Sequence, residues 1–133
     1  MKIIMKALLG VALALLQTLV TPVAWAENKP VAIVVEYMTV GGKERELQTI
    51  LREHAQLTVN EEPGCLRFEV LKPIDKDGAP IPDRLMVSEL YSDEAAATVH
   101  AKNSRLVTLL SKIRPLLVME KVTRSMVLES ATK

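Results

Sequence analysis

The 133-residue chain has few of the residues that build disulfide-stapled or metal-dependent proteins: one Cys and two His. A single Cys excludes an internal disulfide, and this set cannot fill a tetrahedral zinc site without carboxylates. Its 17 Lys and Arg residues against 16 Asp and Glu leave no basic excess for a phosphate backbone, so nucleic-acid binding is not expected. No glycine-rich phosphate-binding motif is present. The chain must be stabilised by an ordinary apolar core, and no metal is predicted.

The first 26 residues have the pattern of a secretory signal peptide. Lys2 and Lys6 supply the positive n-region, residues 7–16 the apolar stretch, and Ala24-Trp25-Ala26 the cleavage site. Cleavage after Ala26 would leave residues 27–133 as one periplasmic or secreted domain.

The alternative is an uncleaved membrane anchor, because residues 7–26 are about long enough to span a bilayer. Gln17, Thr18, Thr21 and Pro22 weaken that alternative. After cleavage, no stable membrane insertion is expected.

The rest of the chain alternates between strand and helix patterns. The predicted order is strand 30–40, helix 43–59, strand 65–72, strand 84–91, a helix from 92 or 93 to about 103, helix 106–113 and strand 116–128. Such βαββαβ order predicts a ferredoxin-like α+β fold, a four-stranded antiparallel sheet with the helices on one face. The first strand is apolar on both faces, so a second subunit is expected to cover the open face and form a two-fold homodimer.

Three sequence blocks and one His carry a family resemblance. They are Gly42-Lys43-Glu44, the block 62–70 (EPGCLRFEV), the block 89–96 (ELYSDEAA) and His100. Together, over residues 30–128, they resemble the antibiotic biosynthesis monooxygenase family, including its quinol monooxygenase-like members. The resemblance implies a dimeric α+β barrel with a ligand cavity between sheet and helices. It also implies oxygenation of phenols or quinols by O2 without metal, flavin or other cofactor.

His100 matches the family's His near the end of the second helix and is the predicted catalytic, proton-handling residue. Arg105 stands where relatives often have a second His, and it is predicted to bind the substrate oxyanion instead. Tyr91, Glu89 and His54 complete the predicted substrate-binding set. For Tyr91 and His54, simple core packing is the alternative. The haem-degrading relatives fit less well, because no His follows His100.

Two further residues need a structural explanation. Glu36 lies within an apolar strand, where it requires a partner, and Arg67, Arg84 or Arg124 could supply one. Cys65 is expected to be a small buried hydrophobe, with an intermolecular disulfide as the alternative.

The predicted function is that of an exported, cofactor-independent monooxygenase acting on a small aromatic quinol or phenol. The alternative is a non-catalytic dimeric module of the same fold that binds a small ligand or is associated with stress. A purely structural dimerisation domain is a third alternative, and a cavity below about 300 Å³ would favour it.

Overall fold

The structure is a computed structural model that describes residues 28–131. Its elements are β1 (Val31–Thr39), α1 (Glu44–Glu61), β2 (Cys65–Leu71), β3 (Arg84–Tyr91), α2 (Glu94–Ala101), α3 (Ser104–Ile113), a 3₁₀ turn (Arg114–Leu116) and β4 (Leu117–Met126). The proposed signal peptide lies outside the described residues. No helix in the described part of the chain is long and apolar enough to cross a membrane.

The four strands form one antiparallel sheet in the order β2-β3-β1-β4. This order and the helices confirm the predicted ferredoxin-like α+β fold. The predicted bounds of β3 agree with the structure, and those of the other strands agree to within two residues at either end. Helix α1 continues two residues beyond its predicted end, to Glu61. This extension matters because Glu62, the C-cap of α1, becomes part of the site described below.

The two faces of the sheet differ in burial. Alternate residues of β1 and β3 point under the helices and are buried: Val31, Ile33, Val35, Tyr37 and Thr39 on β1, and Leu85, Val87, Glu89 and Tyr91 on β3. Leu47 and Leu51 of α1 are fully buried against them. This apolar layer forms the single core of the described chain.

The expectation for Glu36 is wrong in its choice of partner. Glu36 faces the open side of the sheet, where its side chain is 40% exposed and lies 3.5 Å from Lys121 of β4. Within the single chain, Lys121 and solvent therefore take the place of the expected Arg partner. Cys65 is buried at the start of β2, as expected of a small hydrophobe.

The turn between α1 and β2 is held tightly against α2. A Cβ built on Gly64 would lie 2.3 Å from the Cβ of Ala96, so any side chain there would push the two segments apart. The Ser92 N–H also donates to the Gly64 carbonyl at 2.9 Å. This close approach brings the end of α1 beside α2.

Candidate active site

A cluster of buried polar side chains lies where α1, α2 and β3 meet. Glu62 comes from the end of α1, His100 from the last turn of α2, and Glu89 and Tyr91 from β3. Asp93 starts α2 at the correct place for this meeting, since its side chain accepts the Ala96 N–H at 2.8 Å. Glu62, Glu89 and His100 are each at most 6% exposed. Their positions are therefore fixed by packing as well as by hydrogen bonds.

Glu62 holds one side of the His100 ring. The His100 Nδ1 lies 2.9 Å from Glu62 Oε2, while Oε1 accepts hydrogen bonds from Asn103 Nδ2 at 2.8 Å and from an Arg105 NH2 group at 2.9 Å. Asn103 also caps α3, because its Oδ1 accepts the Arg105 N–H. With the Arg105 guanidinium paired to it, the carboxylate acts as an acceptor, so Nδ1 carries the hydrogen. The other ring nitrogen, Nε2, is then left with a lone pair.

Glu89 lies on the other side of the ring. Its Oε2 is 3.7 Å from His100 Nε2 and accepts the Tyr91 hydroxyl hydrogen at 2.7 Å. Burial raises the pKa of Glu89, and the hydrogen bond from Tyr91 offsets only part of that effect. Burial, together with the Glu89 charge, also raises the pKa of Tyr91, which keeps its hydroxyl protonated. Glu89 is thus a buried carboxyl that can take up a proton beside His100.

His54 of α1 packs next to this cluster as an uncharged ring. Its ring centroid is 5.5 Å from that of His100 and 5.7 Å from that of Phe68. Burial lowers the pKa of His54 to about 4, with smaller contributions from the neighbouring His100 and Arg105. Thr58 Oγ1 lies 3.5 Å from its Nε2. His54 therefore contributes an aromatic, neutral surface at ordinary pH.

A cavity of about 200 Å³ lies between the sheet and the helices, beside His100. His100, Glu89, His54 and Tyr37 give it polar groups. The rest of its lining is mostly apolar: Ile33, Val35, Leu51, Phe68, Ala97, Ala101, Leu106, Leu109, Leu110 and Val122, with Glu120 and Arg124 of β4 at one side. A larger depression of about 400 Å³ lies near Asp93 on the outer surface, but it contains neither His100 nor Glu89. The smaller cavity is therefore the candidate site.

The cavity volume also bears on the structural alternative. It is below the roughly 300 Å³ of a drug-sized pocket, which on size alone favours a structural domain. However, its lining includes groups that can transfer protons, because the oriented His100 and the buried carboxyl of Glu89 both belong to it. Among residues 28–131, no group of three or more His, Cys, Asp or Glu side chains is arranged to hold a metal ion.

The structure brings three of the five predicted site residues to the cavity wall: His100, Glu89 and His54. Tyr91 and Arg105 are not on that wall. Tyr91 lies behind Glu89, to which it donates, and Arg105 forms ion pairs with Glu61 and Glu62. In this arrangement both of them position the carboxylates that flank His100.

Sequence reasoning assigned no role to Glu62, Asn103 or Tyr37. Glu62 is the first residue of the block 62–70, and the Pro-Gly that follows it indicates a fixed turn. Asn103 could have been found as the cap between two helical stretches. Tyr37 lies in the first predicted strand, whose pattern indicates only that both of its faces are apolar.

The model of the antibiotic biosynthesis monooxygenase family matches residues 30–107, more than half of the chain. The chain belongs to this family. The match includes both carboxylates of the site, His54 and His100. No curated protein matches the sequence at a significant level.

Solved structures support the same fold. A Mycobacterium tuberculosis protein is 22% identical, with a TM-score of 0.65, and the alignment covers 77% of this chain and 99% of that one. SnoaB, a cofactor-independent oxygenase from Streptomyces nogalater, is 15% identical, with a TM-score of 0.65 and coverage of 79% and 99%. A Caulobacter crescentus protein assigned by name to the same family is 17% identical, with a TM-score of 0.67 and coverage of 77% and 92%. At these identities the likeness establishes the fold.

Proposed function

We propose that this protein is a monooxygenase that uses O2 without a cofactor to oxidise a small electron-rich quinol or phenol. The observation that carries the proposal is the fixed orientation of His100. Glu62 holds Nδ1 at 2.9 Å, which leaves Nε2 on the side of Glu89 and the apolar cavity. A base held in this way can remove a proton from a bound hydroxyl group. Membership of the family and the likeness to SnoaB support the reaction type.

The proposed reaction converts a quinol and O2 into a hydroxyquinone and water. His100 Nε2 takes the proton of one hydroxyl group, and the electron-rich quinolate then reduces O2 and combines with it to give a hydroperoxide on a ring carbon. His100 returns its proton to the peroxide, and the O–O bond and the C–H bond of the same ring carbon then break. One oxygen stays on the ring as a carbonyl, the other leaves as water with the hydrogen released from that carbon, and the product tautomerises to the hydroxyquinone. The quinol supplies all four electrons, two in forming the C–O bond and two in becoming a quinone. The apolar walls exclude water from the anionic species.

Oxygen uptake with a panel of quinols tests the proposal. His100→Ala is expected to lower the enzymatic rate by about 10²–10⁴-fold, the usual range for a general base. The uncatalysed oxidation of each quinol is measured without protein and subtracted. Equal rates for the wild-type protein and His100→Ala would remove the proposed role of His100.

The non-catalytic binding module is the second candidate. It is favoured by the position of Arg105, which is held by Glu61 and Glu62 and does not line the cavity. The cavity then has one base but lacks the Arg105 cation that the resemblance suggested for the oxyanion. Native mass spectrometry that finds a retained small molecule, together with no oxygen uptake, would select this candidate.

The proposed assembly is a homodimer formed through the open face of the sheet. Val34, Met38, Met86 and Leu90 are half-buried on this face, with no helix over them. Pairing of two such faces would bury this apolar surface in a sheet-on-sheet interface. Sedimentation at micromolar concentration is expected to give a dimer for the wild-type protein and a monomer for Val34→Lys. A wild-type monomer contradicts this assembly.

Export is proposed from the N-terminal pattern of the sequence. N-terminal sequencing of the protein from the periplasm or medium of a bacterial expression host is expected to begin at Glu27. A protein that retains residues 1–26 and sediments with membranes would support the uncleaved anchor instead.

A further inference from the structure

The volume of the cavity limits the size of its ligand. An engineered protein cavity of about 150 Å³ holds one benzene molecule, and the cavity here is about 200 Å³. One aromatic ring with two small substituents therefore fits. A second fused ring exceeds this volume, so it would either displace side chains of α3 such as Leu106 and Leu110 or project past the β4 side of the cavity, where Val122 is 56% exposed.

Tyr37 provides a polar group that the fold itself does not use. Its side chain lines the cavity and is 4% exposed. Within residues 28–131 its hydroxyl forms no hydrogen bond and is not fully enclosed. Because the Tyr37 side chain lines the cavity, the hydroxyl is available to a ligand there. Burial raises the pKa of Tyr37, with contributions from the charges of Glu120 and Glu89. The hydroxyl therefore stays protonated and is a free hydrogen-bond donor.

Tyr37 and Glu89 lie on two rows of the sheet surface under the helices that are separated by one row. In the strand register Glu89 pairs with Ile33, four residues before Tyr37 on β1, a spacing of about 13 Å along the strand. Val35 of β1 and Val122 of β4 lie between these two rows. The cavity thus has a proton-accepting end at His100 and Glu89, an apolar middle, and a far end where the donating Tyr37 hydroxyl lies on the row of Glu120, its register partner on β4.

We propose that the cavity binds a single-ring phenol with a second oxygen substituent, and that Tyr37 donates a hydrogen bond to that second oxygen. The phenolic hydroxyl then lies at His100 and Glu89, and the ring lies against Val35 and Val122. The identification of the ligand as a phenol rests on the proposed function. The role of Tyr37 as the donor at the far end rests on the cavity alone.

Calorimetric binding of two near-isosteric probes tests this proposal. 4-Methoxyphenol has an acceptor oxygen opposite its hydroxyl, and 4-ethylphenol has a methylene group there. The wild-type protein is expected to bind 4-methoxyphenol about fivefold more tightly, the effect of one neutral hydrogen bond. Tyr37→Phe keeps the ring, and it is expected to bind the two probes equally.

Tyr91→Phe is the matched control, because it removes the only other Tyr hydroxyl of the chain, one that donates to Glu89. It is expected to change the affinity for both probes alike and to keep their ratio. Melting curves followed by circular dichroism establish that each variant is folded. Unchanged preference for 4-methoxyphenol in Tyr37→Phe, or equal binding of both probes by the wild-type protein, overturns the role of Tyr37.

A third probe tests ligand size. 4-Methoxy-1-naphthol has the same two oxygens on two fused rings, and it is expected to bind at least about tenfold more weakly than 4-methoxyphenol. Equal or tighter binding overturns the single-ring limit. These measurements need no turnover, so they are independent of the oxygen-uptake assay. Loss of oxygen uptake in His100→Ala with an unchanged probe ratio in Tyr37→Phe would retain the oxygenase and reject the Tyr37 donor.

Discussion

The two carboxylates that flank His100 are equally buried but differ in their partners. Glu62 and Glu89 are each 6% exposed. Glu62 receives hydrogen bonds from His100, Asn103 and the charged Arg105, whereas Glu89 receives one, from the Tyr91 hydroxyl. Because Glu89 has only this one donor to offset its burial, burial raises its pKa. Three donors thus hold Glu62 as the anchor of His100, whereas Glu89, with one donor, is the carboxyl whose pKa burial raises.

The largest expected effect comes from removing the anchoring carboxylate. Glu62→Ala leaves the His100 Nδ1 hydrogen and the Asn103 amide without their acceptor and deprives Arg105 of its buried partner. Breaking a buried ion pair costs about 3–5 kcal/mol. Because Arg105 is 22% exposed and keeps Glu61, we expect the lower end, about 3 kcal/mol, in urea unfolding. Oxygen uptake should fall about 10²-fold or more, since the ring is no longer oriented.

Glu61→Ala is the matched control for this prediction. Glu61 is the adjacent residue and also pairs with Arg105, but its side chain is 55% exposed and does not contact His100. The expected cost is below about 1 kcal/mol, as for other surface ion pairs. Oxygen uptake should be unchanged. Equal effects of the two substitutions would mean that Glu62 acts only through Arg105.

His54 extends the comparison to a buried base that has no carboxylate partner. Its pKa in the folded protein is lowered from 6.5 to about 4. Between pH 6.5 and about pH 4, the unfolded chain therefore binds a proton that the folded protein does not bind. Stability is therefore lost as pH falls from 6.5 to about 4. In His54→Gln this loss is absent. We expect the stability of the wild-type protein relative to His54→Gln to fall by about 2 kcal/mol, allowing for partial solvation of the ring.

Urea unfolding of both proteins at a series of pH values measures this difference. Glu89 is common to both, so its own titration cancels. A difference that stays constant over the whole series would show that His54 is protonated as readily in the folded protein as in the unfolded chain.

Much of the fold could be predicted because the apolar pattern of each strand is local. The alternation of Leu85, Val87, Glu89 and Tyr91 identified β3 with its observed ends. The open face of the sheet was harder to interpret. Glu36 was expected on a strand that is covered on both faces, and pattern alone cannot tell a face covered by helices of the same chain from one left to a second subunit.

The site was only partly predictable because its key contact is not local. The family resemblance points to His100, yet the group that orients it, Glu62, lies 38 residues away in the sequence. Their meeting depends on the Gly64–Ala96 approach, which a linear pattern does not reveal. Arg105 was assigned to the substrate on resemblance, and the contacts that turn it toward Glu61 and Glu62 arise from the break between α2 and α3.

The smallest expected effect tests Glu89 directly. Glu89→Gln keeps an oxygen that can accept the Tyr91 hydrogen but removes the titrating carboxyl. In the wild-type protein the folded-state pKa is raised above 4.5, so the unfolded chain releases its proton first, and stability falls as pH rises above 4.5. The variant lacks this loss, so its stability relative to the wild-type protein should increase as pH rises above 4.5.

Urea unfolding across the same pH series checks the Glu89 prediction. A stability difference that is independent of pH would place Glu89 in the same state as an ordinary surface carboxylate. In that case a single hydrogen bond from Tyr91 would stabilise the anion as well as three donors do at Glu62. The distinction between an anchoring and a proton-accepting carboxyl would then have to come from their positions relative to the two nitrogens of His100, and not from their hydrogen-bond donors.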